Sequence, residues 1–108
     1  MNSRQKGKRG ELMLVRRLKE YGYDCRRSVQ YNGQTGDAAD VLGLPGVHIE
    51  CKFVERLNVQ DAVDQAVRDA KEGRLRAVFH KRSRCDWLVT MPIDDWIQLY
   101  KDYEHGER

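Results

Sequence analysis

The sequence predicts an α/β fold in which a mixed β-sheet of about five strands is flanked by helices. Three observations support this prediction. Helical and strand-like patterns alternate along the chain in the order α-β-β-β-α-β-β-α. The most regular helical pattern falls between two groups of strands, and 108 residues are enough for one compact core but too few for two. We therefore expect residues 1–108 to form a single domain.

The first predicted helix covers residues 10–21. Its apolar residues recur at helical spacing, and Gly22 follows as a stop signal. Residues 1–9 precede it as a basic N-terminal arm. Beyond the helix, residues 23–29 are rich in arginine, which predicts a strand near an edge of the sheet.

A tight turn joins the next two predicted strands. The sequence Gly-Leu-Pro-Gly at 43–46 consists of turn-forming residues, and strand-like segments flank it at 40–42 and 47–53. We expect these two segments to pair as a hairpin.

The second predicted helix is the most regular pattern in the sequence. Apolar residues form one continuous stripe over 59–70, Asn58 is suited to cap the first turn, and Asp61 lies where the helix dipole favours an acidic side chain. Two further strands are expected at 76–81 and 87–91.

The last predicted helix begins at Pro92, and two aspartates complement the dipole of its first turn. Trp87 and Trp96 both fall on apolar patterns and are expected in the core or in a dimer contact. Residues 104–108 are expected to form a flexible tail. Four apolar side chains share one face of the helix: Ile93, Trp96, Ile97 and Tyr100.

The composition is 40% hydrophobic and 34% charged, which is typical of a soluble globular domain. No apolar run approaches the roughly 18 residues that span a bilayer, and no apolar segment follows the basic N-terminus, so we expect a cytoplasmic protein. Cys25, Cys51 and Cys85 are widely spaced and lack the pairing of a zinc site. Reduced thiols are therefore expected.

Charge is segregated along the chain, although the net charge is only +3. Residues 1–27 contain nine basic and three acidic side chains, and residues 71–84 contain six basic and one acidic. The segments 37–69 and 85–108 are acidic. Two basic regions around an acidic centre are compatible with a solvated surface and with a phosphate-binding rim around a metal site.

The strand-like segment VHIECKF, residues 47–53, contains the first candidates for chemistry. Because side chains alternate across a strand, one set faces the core while His48, Glu50 and Lys52 face the other way. An isolated Glu-x-Lys is more often a strand with one solvated face, and a lone histidine is more often a bystander than a base.

Asp40 makes a functional interpretation of this strand the stronger one. A hairpin closed at 43–46 places Asp40 opposite Glu50 to within about one residue, so that two carboxylates and Lys52 share one patch. Carboxylates this close repel each other unless a divalent cation neutralises them. Oxygen ligands favour Mg²⁺ or Mn²⁺ over zinc. Asp37 is the alternative to Asp40, which we prefer because it directly precedes the strand.

An aspartate followed across a hairpin by Glu-x-Lys resembles the signature of the PD-(D/E)XK nuclease superfamily. Within it, the chain is similar to archaeal-type (Hjc-like) Holliday junction resolvases, which have a basic Lys-Gly segment, a helix glutamate and an Arg-Ser pair in the first strand. The resemblance implies a restriction-endonuclease-like core and a homodimeric, metal-dependent enzyme that cuts four-way DNA junctions. The matching segments are Asp40-Val41, Glu50-Cys51-Lys52, Lys6-Gly7-Lys8-Arg9-Gly10-Glu11 and Arg27-Ser28.

The chemistry and the resemblance together assign roles to five residues. Asp40 and Glu50 would bind the metal, with the main-chain carbonyl of Cys51 as a third oxygen. Lys52 would orient or deprotonate the attacking water, or stabilise the transition state. Glu11 would be catalytic and contact the metal through water; the alternative is a carboxylate favoured only by the dipole at the start of a helix.

Two further catalytic candidates follow from the family pattern alone. Gln65, beside the apolar stripe of the second helix, is expected to face the site, and the alternative is a solvated helix flank. Ser28 is expected to contact phosphate or water.

Basic side chains are expected to bind the DNA backbone, which gives affinity and position without base specificity. Two other functions stay open at this point. One is a small phage or bacterial nuclease of the same superfamily, such as the VRR-NUC type, that acts on linear, nicked or flapped DNA. The other is a DNA-binding module without catalysis. The candidate DNA contacts are Lys6, Lys8, Arg9, Arg26, Arg27, Lys81, Arg82 and Arg84.

Overall fold

The computed structural model describes residues 3–28 and 38–106, and these form a five-stranded sheet with three helices. The predicted order of elements and the predicted mixed sheet are confirmed. None of the helices in the described ranges is long and apolar enough to cross a membrane. The elements are α1 (Ser3–Glu20), β1 (Arg26–Arg27), β2 (Val41–Leu42), β3 (Val47–Phe53), α2 (Val59–Asp69), β4 (Leu75–Lys81), β5 (Leu88–Thr90) and α3 (Ile93–His105).

The strands lie in the order β1-β2-β3-β4-β5, so β3 is the central strand. Only the β3–β4 pair is parallel, because α2 returns the chain to the same end of the sheet before β4 begins. Both faces of β3 are covered. Ile49 and Cys51 belong to the main core together with Leu14 and Leu18 of α1. On the other face, α2 packs its small side chains against the sheet.

Helix α1 begins at Ser3, seven residues earlier than predicted, so the expected basic arm at 1–9 is wrong for residues 3–9. The apolar pattern that predicts this helix begins only at Leu14, and glycine is a poor helix former. Packing overrides that preference: Gly10 is buried, and a methyl group added to it would lie 2.6 Å from Cβ of Phe53. Glycine is therefore needed here for the close approach of α1 to β3.

The first strand begins later than predicted. The amide of Cys25 donates to the carbonyl of Tyr23, which bends the chain, and Arg26–Arg27 pair with β2. Residue 29 of the predicted strand lies outside the described residues. The hairpin turn is as expected, with Gly43 at φ +124° and Gly46 at φ +82°. A side chain on Gly43 would also collide with the backbone around Cys25, 2.6 Å away.

Helix α2 confirms the predicted cap: the side chain of Asn58 accepts a hydrogen bond of 3.0 Å from the amide of Asp61. The helix ends at Asp69, so the apolar stripe is one residue shorter than predicted. Only Ala62 and Ala66 of the stripe are fully buried. The three cysteines, all within the described residues, are free thiols, as expected.

Helix α3 is attached to the sheet by a charged contact. Asp95 is 5% exposed, and its carboxylate accepts hydrogen bonds from the amide, Nε and Nη2 of Arg76 at 2.6–2.9 Å. Since successive residues of a helix are about 100° apart, Ile93 and Ile97 lie on the side opposite Asp95. The predicted apolar face therefore points outward. The helix also continues to His105, so the tail expected at 104–108 is helical over its first two residues.

The two glycines of α1 give a matched test of this packing. We expect Gly10→Ala to destabilise the protein by about 1–3 kcal/mol, because the new methyl group overpacks the contact with Phe53. Gly7→Ala, with nothing within 4 Å of the added atom, should instead stabilise it by up to about 1 kcal/mol through helix propensity. Urea unfolding at one protein concentration measures both. Equal stability of the two variants would contradict the close approach of α1 to β3.

Candidate active site

The hairpin β2–β3 brings Asp40 and Glu50 together. Val41 pairs with Ile49, so the residue before Val41 lies alongside the residue after Ile49. The amide of Asp40 donates to the carbonyl of Ile49 at 2.9 Å, and Oδ2 of Asp40 accepts from the amide of Cys51 at 2.8 Å. The register is the one that the turn predicts. The competing Asp37 lies outside the described residues.

Glu50 is 0% exposed, and its carboxylate is only half satisfied. Oε1 lies 2.7 Å from Nε2 of His48, which is also 0% exposed, whereas Oε2 has no hydrogen-bond partner within residues 3–28 and 38–106. A buried carboxylate oxygen without a partner carries a large desolvation cost. His48 is the residue that the sequence did not assign to the site. Strand alternation places it on the face of Glu50, but no sequence signal predicts their hydrogen bond.

The pKa of Asp40 is raised by its surroundings in this site. Burial, followed by the nearby charge of Glu50, raises the pKa of Asp40 to about 7, and the charge of Glu11 adds to the shift. The hydrogen bond from the amide of Cys51 opposes it. Two adjacent carboxyl groups therefore do not both ionise readily at neutral pH without a cation between them.

The donors available at the site fit a hard divalent cation. The carboxylates of Asp40 and Glu50, with the unpartnered Oε2, supply oxygen ligands. The thiol of Cys51 does not add sulfur, because burial and the charge of Asp40 raise its pKa far above its ordinary value. Among the described residues, no three His, Cys, Asp or Glu side chains gather closely enough to form a complete metal site. Backbone carbonyls or water would have to complete the ligand set.

Lys52 is held by Gln65. Nζ of Lys52 donates to Oε1 of Gln65 at 2.9 Å, which links β3 to α2. The side chain of Gln65 therefore faces the sheet, and the alternative of a solvated helix flank is wrong for this residue. Lys52 is two residues from Glu50, so both side chains leave the same face of the strand.

Glu11 reaches the site from α1. It lies in the middle of the helix and not in its first turn, so stabilisation by the dipole at a helix start does not explain it. Its Oε1 accepts from Nε of Arg27 at 2.9 Å. The neighbouring Ser28 donates its amide to the carbonyl of Asp40 at 3.0 Å. Strand β1 thus positions Arg27 and Ser28 beside Asp40.

Several of the predicted DNA contacts surround the end of β3. Nζ of Lys6 lies 4.9 Å from the centre of the Phe53 ring, the guanidinium of Arg9 lies at 6.0 Å and Nζ of Lys81 at 5.9 Å. Cations at these distances are attracted to an aromatic ring. Lys6 is also paired with Glu55 at 3.3 Å. The other candidates lie elsewhere: Lys8 on α1, Arg26 and Arg27 on β1, and Arg82 and Arg84 between β4 and β5.

The raised pKa of Asp40 predicts a gain in stability when its charge is removed. Since folding raises this pKa from 3.8 to about 7, the metal-free protein loses stability as the pH rises from about 4 to 7. At pH values well above 7 the stability does not fall further from this cause, because Asp40 is then ionised in the folded as well as the unfolded state. Asp40→Asn keeps an oxygen for the amide of Cys51 but removes the charge. In EDTA at pH 8 we expect its melting temperature to exceed that of the wild type by at least about 4 °C.

The control is Asp64→Asn, which removes an exposed carboxylate on α2 and should change the melting temperature little. Divalent cation should stabilise the wild type and Asp64→Asn, but not Asp40→Asn. An Asp40→Asn variant that is no more stable than wild type in EDTA would contradict the electrostatic account of the site.

At the level of sequence, the chain matches no protein-family model and no curated protein. At the level of structure, it is similar to Hjc, a Holliday junction resolvase from the archaeal hyperthermophile Archaeoglobus fulgidus. The superposition covers 79% of this chain and 76% of the resolvase, with a TM-score of 0.61 and 25% sequence identity. The predicted resemblance to the archaeal-type resolvases, and with it the predicted restriction-endonuclease-like core, is confirmed as a likeness in fold.

Proposed function

We propose that the protein is a divalent-metal-dependent DNA endonuclease that hydrolyses phosphodiester bonds, and that its substrate is the four-way Holliday junction. The observation that supports this most strongly is the contact of Asp40 with Glu50, whose Oε2 is buried without a partner. This pair occurs on a fold similar to that of a Holliday junction resolvase. Mg²⁺ or Mn²⁺ is the proposed cofactor, since oxygen ligands favour hard cations.

The carboxylates of Asp40 and Glu50 would hold the metal, together with the carbonyl of Cys51, and Glu11 would contact it through water. When bound, such an ion offsets the charge of the phosphate and lowers the pKa of a water molecule. The fold holds the Glu50 ligand in place. Glu50 lies on β3, the central strand of the sheet, and its buried carboxylate has little freedom to move.

Lys52 is the proposed electrostatic partner of the reacting phosphate. A lysine ammonium has three N–H donors, and the bond to Gln65 uses one of them. The others would donate to a phosphate oxygen or to the attacking water. Gln65 therefore acts as a positioning residue for Lys52, and negative charge that develops during hydrolysis is stabilised without rearrangement of the lysine.

The cations around Phe53 are proposed to bind the DNA backbone at the end of β3, on the face of the sheet opposite Lys52. Lys6, Arg9 and Lys81 converge on the ring at the end of the strand that contains Lys52. Contacts between such side chains and phosphates fix the position of DNA without reading its sequence. Cleavage directed by the shape of a junction requires this kind of contact. Ser28, whose amide donates to the carbonyl of Asp40, would add a hydroxyl contact.

The outward apolar face of α3 supports a homodimer. Ile93 is 75% exposed, Trp96 51% and Tyr103 61%; Tyr100 stacks on the ring of Trp96 and lies tilted against that of Tyr103. A patch of this kind on a soluble domain is typical of a protein interface. A two-fold dimer through α3 would provide two active sites, one for each strand that a resolvase must cut.

Cleavage assays test the proposed activity. With Mg²⁺ and a labelled four-way junction, the wild type should cut strands in symmetric pairs, and Glu50→Gln and Lys52→Met should each be slower by at least about 100-fold. Asp64→Asn, which loses an exposed carboxylate outside the site, should cut at the wild-type rate. Duplex, flapped and single-stranded DNA serve as comparison substrates.

Each alternative gives a different result in this assay. Equal cutting of plain duplex would contradict junction resolution and favour a nuclease that acts on linear DNA. Preference for flaps or nicks would favour the VRR-NUC-like alternative. Binding of DNA without any metal-dependent cutting would contradict the enzyme and leave a binding module.

Two variants of α3 test the dimer. Trp96→Glu places a charge in the apolar face and should convert a dimer into a monomer of 12.7 kDa at micromolar concentration. Gln98→Glu introduces the same charge on the same helix, away from that face, and should remain dimeric. Sedimentation velocity measures both. A wild type that sediments as a monomer at these concentrations would contradict paired incision by a dimer through α3.

A further inference from the structure

The side chain of His48 is buried against the carboxylate of Glu50. Packing alone does not explain why a histidine occupies this position. Both side chains are 0% exposed, and they are two residues apart on the same side of β3. This side is the one that α2 covers, since Glu50 pairs with Val78, which packs against the alanines of α2. An imidazole in this place leaves its Nδ1 without a partner in the part of the chain that the structure describes. An aliphatic side chain would fill the space without that cost.

A metal-binding Glu50 would need Oε1 to accept from His48. A carboxylate that binds a cation only accepts hydrogen bonds, so the 2.7 Å contact with Oε1 is then made by a hydrogen on Nε2. In this tautomer Nδ1 is a lone pair. With the hydrogen on Nδ1 instead, a buried N–H would have no acceptor, and two lone pairs would face each other across 2.7 Å.

The hydrogen bond has a consequence for the other oxygen of Glu50. The terminal torsion of a glutamate is broad and roughly two-fold, so a carboxylate without contacts can rotate. Donation from His48 to Oε1 restricts this rotation. Among the described residues Oε2 is then the oxygen without a partner, and Asp40, whose amide donates to the carbonyl of Ile49, lies across the hairpin from Glu50.

We propose that His48 is a positioning residue that holds Oε1 of Glu50 through its Nε2–H, so that Oε2 stays available to a divalent cation. This inference rests on the proposed metal site. It assigns to His48 a function through Glu50 and no contact with DNA or with the reacting atoms.

Binding of Mn²⁺, measured by electron paramagnetic resonance without DNA, tests the proposal. The amide nitrogen of glutamine can reach the place of Nε2, whereas asparagine is too short. His48→Gln should therefore bind Mn²⁺ within about threefold of the wild type, and His48→Asn should bind it at least about tenfold more weakly. Equal affinity of His48→Asn and wild type would overturn the proposal, and so would equal weakening in both variants.

Two controls separate this inference from the proposed function. If the wild type binds Mn²⁺ and Asp40→Asn does not, the metal site stands whatever the His48 variants do. If the wild type itself does not bind Mn²⁺, the metal site and the role of His48 both fall. In junction cleavage, His48→Asn should lower kcat at limiting Mg²⁺ and return it towards the wild-type value as the Mg²⁺ concentration is raised, whereas a loss of folded protein would lower kcat at every Mg²⁺ concentration.

A measurement on the unchanged protein makes the test independent of variant folding. Nitrogen-15 spectra that connect ring nitrogens to ring protons identify the tautomer of a histidine. We expect His48 to have its hydrogen on Nε2, and to keep it there when saturating Mg²⁺ is added. A hydrogen on Nδ1 would overturn the proposal.

Discussion

The structure depends on a concentration of negative charge at the centre of its sheet. Glu50 is completely buried on the central strand with one oxygen unpaired, and Asp40 faces it with a raised pKa. Burial of two carboxylates in contact costs stability in the protein alone. A fold that tolerates this cost while keeping a lysine two residues away is well suited to bind a cation and, through it, a phosphate.

The surrounding elements make that concentration of charge possible. On one face, Gly10 allows α1 to approach Phe53 closely, which seals the core formed by Ile49 and its neighbours. On the other face, the small Ala62 and Ala66 of α2 pack against the sheet. Strand β3 has a hydrogen-bonded strand on each side. The backbone beneath the site is therefore rigid, and the energy of this packing offsets the repulsion between the carboxylates.

Much of this arrangement was predictable from the sequence, because it depends on local rules. The Gly-Leu-Pro-Gly turn determines the register between Val41 and Ile49, and alternation along β3 places Glu50 and Lys52 on one face. Features that depend on tertiary contacts were not predictable. The start of α1 was misplaced because Gly10 is a packing glycine, and the hydrogen bond of His48 depends on the depth of burial of β3. The outward direction of α3 depends on the contact between Asp95 and Arg76.

The central claim is that a divalent cation binds between Asp40 and Glu50. Crystals grown with Mn²⁺ and measured near the manganese absorption edge test it most directly. The account predicts one anomalous peak per chain, within bonding distance of Oε2 of Glu50 and of the carboxylate of Asp40, with Oε1 of Glu50 still bonded to His48. An anomalous map without a peak at these oxygens, at a Mn²⁺ concentration that supports DNA cleavage, would contradict it.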